Sequence, residues 1–176
     1  MKKLKAFLNK LFIDGLSGMA LGLFATLIVG TILSQIGAFF PNTKIGTLLV
    51  VIGKCASLLT GAGIGCGVAY KFGESPLVLL SAATNGLVGA YAGKILSGTL
   101  FANGVFTITP PGEPLGAFIA AYVAIELGTL VSGKTKVDII ITPLLSILTG
   151  SAVGLILGPP ISGFMAFLGE LINLGT

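Results

Sequence analysis

The sequence predicts an all-α, polytopic helical membrane protein. It has about five transmembrane helices, an N-terminal amphipathic helix and a short C-terminal re-entrant or interfacial helix. Three observations predict this. Apolar stretches at residues 19–40, 45–70, 75–94, 116–131 and 137–157 each come close to the roughly 20 helical residues that cross a hydrocarbon core. Hydrophobic residues make up 54% and charged residues 9% of the chain, against the about 25% charged that covers a soluble domain; the mean hydropathy is +1.05. The 27 glycines often recur four residues apart, as in helices that associate in lipid through close packing of small residues.

Residues 1–12 set Lys2, Lys3, Lys5 and Lys10 against Leu4, Phe7, Leu8, Leu11 and Phe12 at helical spacing. That pattern is an interfacial amphipathic helix ahead of a membrane domain spanning 13–176. The apolar run that follows is too long for a signal peptide. The lysines suit anionic lipid at the N-terminus, at about 1 kcal/mol each, and not nucleic acid.

Orientation follows from the lysines. With the N-terminus in the cytoplasm, Lys2, Lys3, Lys5, Lys10, Lys71, Lys134 and Lys136 fall inside and only Lys44 falls in an outer loop. This asymmetry satisfies the positive-inside rule for a multi-pass membrane protein with a cytoplasmic N-terminus. The loop 97–114 is rich in Gly, Thr and Pro, and "GVFTIT" within it alternates as a short hairpin or an extended lid would. After residue 157, Gly158-Pro159-Pro160 predicts a break, and the apolar residues beyond it are too few for a crossing. Close helix contacts are expected at Gly18/Gly22, Gly61/Gly65, Gly63/Gly67, Gly89/Gly93 and Gly150/Gly154/Gly158.

Charges inside apolar stretches point to function, because each costs roughly 2.5–3.5 kcal/mol or more at mid-depth. Lys54, Lys94 and Glu126 qualify. Lys94, near a helix end, snorkels. Lys54 and Glu126 form either a mutual structural ion pair or a solvated bundle interior, or else a polar pathway or binding site. Asn85, with two donors and an acceptor, suits a sugar hydroxyl or an interhelical hydrogen bond. Glu126, Asn85 and Lys54 are thus the candidate substrate-binding residues. Cys55 and Cys66, about three turns apart in one apolar stretch, are read as small buried hydrophobes and not as a disulfide. Without histidine the usual metal sets and Ser–His or Cys–His pairs cannot be assembled, so no metal, cofactor or catalytic residue is expected. "GAGIGCG" lies in a span and not after a strand, which excludes a dinucleotide fingerprint.

The C-terminal text "VDIIITPLLSILTGSAVGLILGPPISGFMAFLGELINLGT" resembles the membrane-embedded IIC subunits of the bacterial phosphoenolpyruvate-dependent sugar phosphotransferase system, in fructose-type style. The matching positions are Ile141, Pro143, Leu144, Gly158, Pro159, Asn173, Leu174, Gly175 and Thr176. "SPLVLLSAATNGLVGAYAGKILSG" and "GEPLGAFIAAYVAIEL" also look like the family, and "FIDGLSGMALGLFATLIVGTIL" is similar to its branch of toxin regulators of the perfringolysin regulator type. The resemblance implies a carbohydrate substrate, cytoplasmic IIA and IIB partners that supply the phosphoryl chemistry, and a homodimer. It also implies that the chain matches only the N-terminal, scaffold half of a longer domain, so no sugar-binding residue is carried over by motif. A permease component, a IIC-like membrane regulator or sensor without transport, and a dimeric non-sugar transporter or channel remain open at this level.

Overall fold

The structure, a computed structural model, describes residues 2–102, 105–109 and 112–174. It is an all-α membrane fold with one two-residue hairpin. Helix α1 occupies residues 2–38, and its segment Leu4–Ala38 is 35 residues of spanning character. The break expected after Phe12 is absent: Lys2–Asn9 runs directly into a π-helical turn, Lys10–Gly15, and then onward. Met1 lies outside the described residues.

A second π turn at Phe24–Ile28 has a consequence for packing. Gly22 and Gly30 are eight positions apart, which in a regular α-helix rotates one about 80° from the other. The residue absorbed by the π turn brings them back to within about 20°, so a single side of α1 stays lined with glycine. Gly18 and Gly22 press on the backbone of Gly67 and Gly63, while Gly30 and Gly37 press on Gly53 and Gly46.

After a turn closed by Asn42 at φ 62, α2 (Lys44–Leu58) starts on its N-cap Thr43, whose hydroxyl accepts from the Gly46 amide at 3.0 Å. The expected span 45–70 is in fact two helices. Helix α3 (Thr60–Lys71) leaves α2 at 54° across Leu59. Cys55 and Cys66 therefore sit on different helices; Cys66 is half-buried, but Cys55 is exposed and not the buried hydrophobe expected.

Helix α4 (Pro76–Ala90) is capped by Ser75 with proline at its first turn, and only Tyr91 separates it from α5 (Ala92–Leu96). Strands β1 (Phe101–Ala102) and β2 (Val105–Phe106) then pair antiparallel, Phe101 opposite Phe106. Of the alternating stretch "GVFTIT", Val105–Phe106 form the second strand of this hairpin. Helix α6 (Pro114–Val131) begins on Glu113 as N-cap, and α7 (Asp138–Leu174) follows.

Helix α7 corrects the expectation of a separate C-terminal helix. Its 37 residues pass through Pro143, Pro159 and Pro160 without a break. Each proline removes one backbone donor, but ending the helix in an apolar surrounding would leave several more backbone groups without partners, so the helix continues. Gly175 and Thr176 of the resemblance motif lie outside the described residues. Among the described residues, three helices are long and apolar enough to cross a membrane, Leu4–Ala38, Pro114–Val131 and Asp138–Leu174, or four if the bent pair α2–α3 is one span. Pro76–Ala90, expected as part of a crossing, is a shorter apolar helix.

The core lies where α3, α4 and α6 meet, built on Ile64, Val68, Val78, Ala82, Ala117, Ala121 and Ile125. Small residues bring these helices to backbone contact: Gly61 and Gly65 against Gly86 and Ala82, Gly89 against Gly116, and Gly150, Gly154 and Gly158 of α7 against Ala124, Ala120 and Ala92. Of the expected glycine contacts, Gly93 alone faces open space.

Candidate functional site

The three sequence-chosen residues lie in three different settings. Glu126 sits five residues before the end of α6, roughly 7.5 Å along its axis, and so near one end of the bundle instead of its middle. Its partner is not Lys54. The Lys10 ammonium donates to Glu126 Oε1 at 2.6 Å and stands 4.6 Å from the centroid of the Phe72 ring. Tyr122, one turn before Glu126 on the same face of α6, packs edge-on against Phe72 at 6.0 Å and beside Phe118 at 6.3 Å.

The same end carries further polar links. Thr129 Oγ1 donates to Glu74 Oε2 at 2.7 Å, and the Ser75 and Ser132 hydroxyls meet at 2.9 Å. Glu126 thus belongs to a cluster of one cation, two carboxylates and three aromatic rings drawn from α1, the α3–α4 turn and α6. The Lys10 and Glu126 side chains are 39% and 40% exposed, so solvent screens the pair and its stabilising contribution is small, about 0–1 kcal/mol. Carboxylate oxygens accept hydroxyl hydrogens, and aromatic faces offer apolar contact beside them. This is the chemistry with which a protein holds a polyhydroxylated molecule.

Asn85 is fully buried on α4. Its amide donates to the Ser81 carbonyl at 2.8 Å and the Ser146 carbonyl at 3.1 Å, and its Oδ1 accepts from Ser151 Oγ at 3.0 Å. Ser146 Oγ in turn donates to the Ala124 carbonyl at 2.8 Å. Both Asn85 donors are engaged within the protein, and the residue pins α7 to α4 while Ser146 extends the pin to α6.

Lys54 is exposed near the end of α2, beside a pocket of about 400 Å³ shared with Cys55, Leu58, Ile108 and Thr109. It lies toward the hairpin, away from the Glu126 cluster. Lys94 donates to the Thr109 carbonyl at 3.1 Å.

Sequence reading missed Lys10, Phe72, Tyr122 and Glu74. Two signals were available. Tyr122 and Glu126 are four apart on one helix face, and Lys10 stands apart from the Lys2, Lys3, Lys5 group by four residues. Compared with known proteins, the chain matches at residues 13–176 the family described as "Phosphotransferase system, EIIC". No curated protein and no solved structure matches.

Proposed function

The chain belongs to the phosphotransferase-system EIIC family and is a membrane component of a sugar phosphotransferase system; on that premise we propose that it carries a sugar across the membrane to a cytoplasmic partner that phosphorylates it. The family match over residues 13–176 is the observation that carries this reading. The protein positions the sugar and the partner supplies the phosphoryl group, so no nucleophile is needed among the membrane helices. The Glu126 carboxylate, beside Tyr122, Phe72 and Phe118, is the assigned contact for sugar hydroxyls. Lys10 holds that carboxylate in place until hydroxyls replace it.

The reading is tested by melting the purified chain in lipid nanodiscs against a panel of hexoses, hexitols and disaccharides. One sugar should raise the melting temperature, and Glu126→Gln should abolish that rise. The substitution itself should move the unliganded melting temperature by less than about 4 °C, since a half-exposed ion pair contributes at most about 1 kcal/mol. No stabilisation by any sugar, together with no phosphoenolpyruvate-dependent sugar phosphorylation by membranes mixed with bacterial cytosol, would reject the proposal.

The chain is further assigned a multi-pass arrangement with its N-terminus in the cytoplasm. Supporting this, the Lys10–Glu126, Thr129–Glu74 and Ser75–Ser132 contacts gather the ends bearing Lys10, Lys71 and Lys134 on one side of the fold. In a background with Cys55 and Cys66 replaced by alanine, Thr99→Cys should react with a membrane-impermeant maleimide on intact cells. Lys134→Cys should react only after permeabilisation. The reverse pattern would invert the topology.

A further inference from the structure

The geometry points to a binding site for an anionic phospholipid beneath the hairpin, separate from the Glu126 cluster. A pocket of about 370 Å³ lies between α4, α5 and the hairpin, lined by Leu87, Val88, Tyr91, Ile95, Leu100 and Ile108 among others. Its wall is almost wholly apolar. The exception is Tyr91, 3% exposed, whose buried hydroxyl has no hydrogen-bond partner among the described residues. Ile108 also lines the pocket that holds Lys54 and Thr109, so the two spaces meet at Ile108. Lys94 closes the arrangement from the other flank: its ammonium donates to the Thr109 carbonyl and stands 5.6 Å from the Tyr91 ring centroid.

Neither lysine has a carboxylate within salt-bridge distance among the described residues. Two uncompensated cations beside an apolar chamber call for one molecule that carries both an anionic head and a hydrocarbon tail. The depth agrees. Helix α6 starts just after the hairpin and runs 18 residues, about 27 Å, to the Glu126 end. That distance is close to the roughly 30 Å of a hydrocarbon core, so Lys54 and Lys94 lie at headgroup level when the Glu126 end lies at the opposite interface. An acyl chain fills the apolar pocket, and the phosphate rests by the two ammonium groups. A free phosphate ion would use the lysines and leave the apolar chamber empty. A zwitterionic lipid would use the chamber with no gain from the lysines.

The test is native mass spectrometry of the delipidated full chain. Lys2, Lys3 and Lys5 are replaced by Gln in every sample, so that the N-terminal lysines outside the Lys10–Glu126 pair do not contribute. Phosphatidylglycerol and phosphatidylcholine of identical acyl chains are titrated in. The first phosphatidylglycerol should bind about tenfold tighter than the first phosphatidylcholine. K54Q/K94Q should reduce that preference to about twofold or less, while K54R/K94R keeps it. Val88→Phe, which narrows the chamber, should weaken both lipids without changing their ratio. Equal affinity of the two lipids for the starting protein would overturn the site, as would a preference that survives K54Q/K94Q. Glycerol phosphate competing as well as the intact lipid would overturn the acyl pocket and leave an anion site only.

Discussion

Gly22→Val should cost at least about 3 kcal/mol and lower the melting temperature by about 10 °C, leaving little folded protein in detergent. A Cβ at this position would land on the Gly63 carbonyl and the Ile64 amide nitrogen, so backbone, not a movable side chain, stands in the way. Helices α1 and α3 would have to separate. Because Gly18 presses on Gly67 one turn away, that separation would unseat the whole contact. The comparison that makes the result specific is Gly163→Ala on α7, where nothing lies within 4 Å of the added carbon. That variant should melt at or slightly above the parent temperature, since alanine relieves glycine's backbone entropy cost. Thermal melts followed by size-exclusion recovery measure both. A Gly22→Val protein that melts like the parent would show that the α1–α3 contact is not held as described.

Asn85→Ala should destabilise by about 2–3 kcal/mol, or about 5–10 °C. Two of its bonds cross between helices, to the Ser146 carbonyl and from Ser151, and such bonds between membrane helices are each worth about 0.6 kcal/mol and at most about 1.7. Truncation adds a void at a fully buried position against Gly150 and Ala124. Asn85→Asp should be worse, because it turns an oxygen toward carbonyls that now receive a hydrogen bond. Sugar-induced stabilisation, measured as the shift between free and liganded melts, should persist in Asn85→Ala. Loss of that shift with an unchanged unliganded melt would instead make Asn85 a recognition residue.

These two residues show what a linear reading reaches and where it stops. Apolar length and glycine spacing were enough for an all-α membrane fold, since both are properties of one helix at a time. Which glycine meets which was not legible: Gly22 pairs with Gly63 and Gly30 with Gly53 only because a π turn between them re-phases α1, and nothing in a 3.6-residue periodicity announces such a turn. The break was placed at the prolines, where soluble-protein rules put it. It falls instead at Leu59-Thr60, where a threonine whose hydroxyl bonds the Ser57 carbonyl stands just before Gly61 and Gly63.

The site was half legible. Glu126 stood out as a charge in an apolar helix, but its partner Lys10 was absorbed into a lipid-facing basic cluster. A pair with Lys54 is one of the readings that two charges inside apolar stretches allow. Proximity across 116 positions of sequence is a product of tertiary packing, and no local pattern encodes it.

The length of α7 sets a limit on where this protein can reside. Thirty-seven helical residues extend about 55 Å, against roughly 30 Å of hydrocarbon. Tilting alone would need about 57°, beyond the roughly 0–40° range of membrane helices. The remainder must emerge from the bilayer or locally thicken it. Hydrophobic mismatch is thus built into the chain, and its packing will depend on the acyl-chain length of the surrounding lipids, tightening in thick bilayers and straining in thin ones.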